Sequence, residues 1–165
     1  MDGKRASESR SQLVRWMGVL DANTVGNVHG GTVMKLCDEA AALAAIKHSR
    51  RRVVTAGMDR MTFQYPIRIG ELLTLSASVN AAWRTSMEVG VRVDAENPIT
   101  GEARHTNTAY LTMVALDDDG NPTAVPPLIA ETPQERRRTH DAELRRANRL
   151  AEREQILSHR ERQPD

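Results

Sequence analysis

The sequence predicts an α+β arrangement: an antiparallel sheet wrapped round one long apolar helix, with a charged helix at the C-terminus. Three observations carry it. Residues 32 to 48 contain no proline or glycine and are rich in alanine, the best helix former. From Glu71 to Leu116, three runs alternate apolar and polar residues with turn residues between them. Beyond Val125-Pro-Pro-Leu128 the composition turns to arginine and glutamate.

The elements follow in order. Residues 1 to 11 are polar and charged and read as a disordered leader, and Leu13 to Leu20 as a strand. Asn23-Thr-Val-Gly-Asn-Val-His-Gly-Gly31 is a polar, glycine-bearing loop that turns directly into the helix of residues 32 to 48, about 25 Å long at 1.5 Å per residue. Ser49-Arg-Arg-Arg52 places cations where a helix end favours them. Val53 to Phe63 reads as a second strand, with Gly57 marking a bulge. Glu71 to Trp83, Ser86 to Ala95 and Arg104 to Leu116 supply three more strands, the last two joined by the turn Asn97-Pro-Ile-Thr-Gly101. Thr132-Pro-Gln-Glu135 then gives an N-cap, a first-turn proline and a capping-box glutamate. The helix it starts carries a thin stripe of Leu144, Ala147, Leu150 and Ala151, and its charged remainder reads as a solvated surface. Residues 12 to 130 form the folded domain and 131 to 165 a charged helical extension.

At 165 residues and a formal net charge of +1, the chain is one domain with no dominant electrostatic partner, so neither nucleic acid nor an anionic membrane is expected. The single cysteine, Cys37, excludes an internal disulfide framework and reads as buried packing inside the helix. No run is apolar enough to span a bilayer, and the N-terminus lacks the apolar segment of a signal peptide, so a cytoplasmic location is expected. Histidines 29, 48, 105, 140 and 159 lack ligand spacing, and no metal or other cofactor is expected.

One residue breaks the pattern. Asp38 shares a helix face with Met34, Ala41, Ala42 and Ala45. A carboxylate on such a stripe is more often a paired structural residue than a functional one. Its setting favours chemistry. Gly30 and Gly31 leave the first N–H groups of the helix uncovered, suited to an anion or a developing oxyanion. Together with the side-chain amide of Asn27, they suit attack of water on an acyl group.

Asn27-Val-His-Gly-Gly31 followed by Met34-Lys-Leu-Cys-Asp38-Glu-Ala-Ala resembles the motif of hotdog-fold acyl-CoA thioesterases, in particular the cytosolic acyl-CoA hydrolases. Further matches are Val53-Val-Thr-Ala, Phe63-Gln-Tyr-Pro66-Ile-Arg-Ile-Gly70, Arg84-Thr-Ser-Met-Glu-Val89, Tyr110-Leu-Thr-Met-Val-Ala115 and Val125-Pro-Pro-Leu128. Together they cover about residues 20 to 138 in consistent order. The resemblance implies a hotdog fold and hydrolysis of fatty acyl-CoA to free acid and coenzyme A. It implies Asp38 as general base, or as nucleophile through an anhydride, with Asn27 positioning water or thioester. It further implies a site shared across a homodimer, and a trimer of dimers. A backbone N–H near Gly30 or Gly31 would polarise the carbonyl, and the turn Arg84-Thr85-Ser86 would meet the phosphates of coenzyme A. His29 is expected to stabilise its loop. The competing reading is a non-catalytic acyl-CoA sensor, which would need a DNA-reading module that the remaining segments do not provide.

Overall fold

A computed structural model describes residues 1–162. Residues 163–165 of the predicted extension lie outside the described part. Strand β1 (Lys4–Arg5) and a short 3-10 turn (Ala6–Ser9) lead into β2 (Ser11–Trp16). The long helix α1 spans Gly30–Ser49 and is followed by β3 (Arg52–Met58), β4 (Leu72–Ala82), β5 (Ser86–Glu96) and β6 (Ala103–Leu116). A short strand β7 (Leu128–Ile129) precedes helix α2 (Pro133–Arg162). Five strands make one antiparallel sheet in the order β2-β4-β5-β6-β3, while β1 and β7 pair in parallel as a separate ladder.

The predicted alternation holds. Leu73, Leu75, Ala77 and Val79 of β4, Met87, Val89, Val91 and Val93 of β5, and Leu111, Met113 and Ala115 of β6 face inward and are buried. They close on Val33, Leu36, Cys37, Ala40, Ala41, Ala44 and Ala45 of α1 in one core. Burying each larger aliphatic side chain contributes about 1.5–3 kcal/mol, and the alanines let helix and sheet approach closely. The sheet curls round α1, which is the hotdog arrangement.

Three boundaries differ from expectation. The segment expected as a disordered leader is built into the fold. Ser9 is fully buried, its hydroxyl accepting the Val79 N–H at 2.9 Å where a register shift in β4 interrupts the ladder. The first strand starts earlier and stops at Trp16, because the Gly18 N–H bonds the Asp21 carboxylate and the chain turns through Val19–Asp21 with Leu20 fully exposed. Strand β3 ends at Met58 rather than Phe63, since past the bulge between Thr55 and Gly57 the Asp59 N–H makes a last bond to the Tyr110 carbonyl.

The capping box at Thr132 forms: Thr132 Oγ1 accepts the Glu135 N–H at 3.1 Å, and Glu135 accepts the Glu131 and Thr132 N–H groups. Those bonds hold the Glu135 carboxyl below the usual carboxylate range. The helix, expected as a solvated surface, instead docks on the sheet, and not through its apolar stripe. Leu144 and Leu150 stay exposed, while Ala142 touches the outer face of the sheet with no exposed area. Around it, charged side chains reach inward. Arg145 holds the fully buried Glu88 at 2.6 and 3.1 Å and lies 3.6 Å over the Tyr110 ring. The charged face is therefore a docking face as well as a solvated one.

Candidate active site

Helix α1 sets the site. His29 caps it: the ring Nδ1 accepts the Gly31 N–H at 3.0 Å, and the His29 carbonyl accepts from Thr32 and Val33. His29 thus holds the loop, as expected, and the imidazole occupies the Gly31 N–H. Among the described residues, the Gly30 N–H is the first-turn donor left without an acceptor. The Phe63 ring covers Gly30, and a Cβ built there would lie 3.5 Å from the ring.

Two turns on, Asp38 is half-buried rather than sunk in the core, because it faces the open edge strand β3. The Thr55 hydroxyl donates to Asp38 Oδ1, and the Met113 sulfur lies 3.6 Å from that hydroxyl. This contact brings helix and edge strand together at one carboxylate, leaving Oδ2 available to accept a proton. The bulge just past Thr55 shifts the pairing with β6 at this point. The neighbouring Cys37 is fully buried; burial, then the adjacent Asp38, push its thiol up to about 12, so it is no nucleophile at neutral pH.

The loop before α1 is organised by Asn23. Its carboxamide oxygen accepts the N–H groups of Val25 at 3.0 Å and Asn27 at 3.1 Å, and its own N–H bonds the Asn27 carbonyl. The Asn23 amide N–H pair has no acceptor among the described residues. Asn27 makes a backbone bridge to Arg68, and its side chain has no partner among the described residues. Neither asparagine bonds Asp38 within one chain.

The Arg84-Thr85-Ser86 turn is held by its backbone, with Thr85 and Arg84 carbonyls accepting from Ala115 and Val125. Its guanidinium and hydroxyls have no partner among the described residues. Thr55 pairs with Met113, which pairs with Met87. The turn therefore begins one register step beyond the row of Thr55 and about 10 Å across two strands from it. A separate cleft of about 750 Å³ opens on the outer sheet face under α2, lined in part by Arg10, Arg92, Arg137 and Arg138. It contains none of the predicted site residues. Among the described residues no cluster of His, Cys, Asp or Glu fits a metal ion, and no helix is long and apolar enough to cross a membrane.

Residues 25–102 match the model of the thioesterase superfamily. The chain is 35% identical over 160 residues to the cytosolic acyl coenzyme A thioester hydrolase of Rattus norvegicus, covering 96% of this chain and 41% of that protein. It thus spans about two fifths of the length of that curated relative. The crystal structure of an apo-hexameric acyl-CoA thioesterase superposes with a TM-score of 0.88 at 38% identity, covering 92% of this chain and 97% of the other. An acyl-CoA hydrolase from Staphylococcus aureus, solved with butyryl coenzyme A, coenzyme A and coenzyme A disulfide, gives 0.87 at 34% identity, with 98% and 99% covered.

That hydrolase has also been solved with an aspartate, an asparagine fifteen residues before it and a threonine seventeen residues after it each changed to alanine. Counted from Asp38, the same spacings fall on Asn23 and Thr55. Asn27 stands four residues from the first of these. Sequence reading passed over both Asn23 and Thr55, although Asn23 opens the loop and Thr55 lies in the matched Val53-Val-Thr-Ala.

Proposed function

The chain belongs to the thioesterase superfamily, and we propose that it hydrolyses fatty acyl-CoA to the free acid and coenzyme A at a site organised by Asp38. The observation that carries this is the Thr55–Asp38 contact, at the spacing of the residues altered in the S. aureus hydrolase. Thr55 fixes the carboxylate by one oxygen, and the other takes a proton from water as that water attacks the thioester carbonyl. The Gly30 N–H at the helix start of the opposite subunit, the one that also supplies the loop amide, meets the oxyanion, a donor of a kind whose loss costs about 10²–10³ in rate. As the tetrahedral adduct collapses, the C–S bond breaks and coenzyme A leaves as the thiolate, which picks up a proton. No cofactor or metal enters this reaction.

The asparagine of the pair is Asn23 rather than Asn27. Its oxygen is held by two backbone N–H groups, so its amide N–H pair is oriented toward water or thioester. Asn27 supports it by supplying one of those groups. Arg84, Thr85 and Ser86 remain the phosphate contacts for coenzyme A, since their side chains are uncommitted in the single chain. Asp38 lies eight residues into α1 from Gly30, about 12 Å along the axis, so one chain does not bring the loop amide to its own carboxylate. The partner subunit supplies it. Exposed Leu43 and Ile46 on α1 and Val54 on the open edge β3 support a subunit docking there. The dimer is the minimal unit and a trimer of dimers the assembly, as in the hexameric relative, in the cytoplasm.

The test is release of free coenzyme A from acetyl-, octanoyl- and palmitoyl-CoA, with Asp38→Asn beside wild type. Hydrolysis that collapses by about 10³ or more in the variant, with assembly intact, is expected for loss of the base. Saturable binding of every substrate with no turnover by wild type would leave a sensor in place of an enzyme.

A further inference from the structure

Helix α2 docks on the face of the sheet opposite α1, yet one of its contacts leads back to the start of α1. We propose that α2 is a positioning element of the hydrolytic site, acting through an Arg149–Asp59 pair on the segment that roofs Gly30. The inference rests on the hydrolase reading above.

Residues 59 to 63 leave β3 and carry no strand or helix; past the last backbone bond, from the Asp59 N–H to the Tyr110 carbonyl, side-chain contacts set their place. Three tethers hold them. At one end, Arg149 Nη1 reaches both carboxylate oxygens of Asp59, at 3.0 and 2.9 Å. In the middle, the buried Asn107 amide donates to the Thr62 carbonyl. At the other end the Phe63 ring rests on Gly30.

Arg149 is itself fixed from below. It lies 3.7 Å from Glu88, a fully buried carboxylate that Arg145 already grips. Both members of the Arg149–Asp59 pair are largely shielded, with side chains 31% and 21% exposed. An ion pair so placed holds position better than one in solvent. The second link one turn on, Arg60–Glu152 at 3.0 Å, is 92% and 58% exposed and adds little.

The tethered residue that matters is Phe63, because its ring packs beside the Cα of Gly30, the residue whose N–H would meet the oxyanion. A shift of the ring changes how the thioester carbonyl enters that donor. Interactions made only in the transition state appear in kcat rather than in KM. The Arg149–Asp59 pair thus acts on turnover without touching substrate.

Steady-state hydrolysis of octanoyl-CoA by the assembled protein tests this, in wild type, Arg149→Met, Asp59→Asn and the double variant, with hydrogen exchange followed at the amides of residues 60 to 63. The expected result is a fall in kcat of about tenfold, with KM within about threefold, since small misplacements remote from the chemistry cost this much or more. Exchange quickens at those amides, the double variant falls no further than either single one, and Arg149→Lys recovers part of the rate. Asp59→Asn keeps its size and leaves α2 intact, so it stands alone if Arg149→Met fails to assemble. Unchanged kcat in Asp59→Asn, beside an active wild type and a dead Asp38→Asn, overturns the positioning role and leaves hydrolysis standing. Absence of turnover in wild type removes both.

Discussion

Asp38 was legible as a single residue because helical periodicity alone places a carboxylate among alanines. Its partner Thr55 was not, since the hydroxyl reaches Asp38 only once the sheet has closed round the helix. His48 illustrates the same limit. In the sequence it is one of five histidines without ligand spacing, yet it has no exposed area, and its Nε2 meets the Pro126 carbonyl at 2.8 Å. A carbonyl only accepts, so the ring proton sits on Nε2 and the buried Nδ1 is left without a partner. Burial pushes the imidazole below its ordinary value of 6.5, partly offset by the bond to Pro126. A folded-state value below the unfolded one means that the folded chain prefers the neutral ring. The resulting stability is present above pH 6.5 and is lost as pH falls through the folded value. The thermal midpoint should therefore fall, as pH drops below 6.5, more steeply in wild type than in His48→Gln. Equal slopes would contradict this placement of the proton.

At the scale of elements, the strands and α1 were readable because alternation and alanine content are local signals. The docking of α2 was not. Its leucines form the only apolar stripe in the sequence of that helix, but the surface it meets is polar, presenting Asn80, Glu88 and Tyr110 on the outward side of the strands. Alternation marks Glu88 as outward and says nothing of what covers it. Arginines complement that surface and leucines do not. The same face explains Gly90. A Cβ there would come within 2.7 Å of the Asn80 amide nitrogen, which is buried and donates to Glu88 at 3.2 Å. Gly90→Ala should cost about 1–3 kcal/mol by overpacking and lower the thermal midpoint by several degrees. A midpoint equal to that of wild type would mean that Asn80 moves aside without loss.

Across the whole molecule, the chain is a folded unit whose proposed site needs a second subunit. The carboxylate and its threonine stand at an uncovered sheet edge, the loop amides sit at the far end of α1, and apolar side chains on the helix face outward. The fold was legible in the sequence, and the expectation of a second subunit came from the family resemblance. Which loop asparagine the proposed shared site uses was not legible, because Asn23 and Asn27 stand four residues apart in one turn-rich stretch and the bonds to the Asn23 oxygen appear only in the fold. The most direct measurement is therefore complementation, mixing equal amounts of Asn23→Ala and Asp38→Ala chains, each inactive alone, under conditions of confirmed subunit exchange. Random pairing makes half the dimers mixed with one intact site each, so about a quarter of wild-type octanoyl-CoA hydrolysis should return. No recovery, with mixed dimers demonstrated, would contradict a site built from two subunits, and recovery only when Asn27→Ala replaces Asn23→Ala would return the role to Asn27.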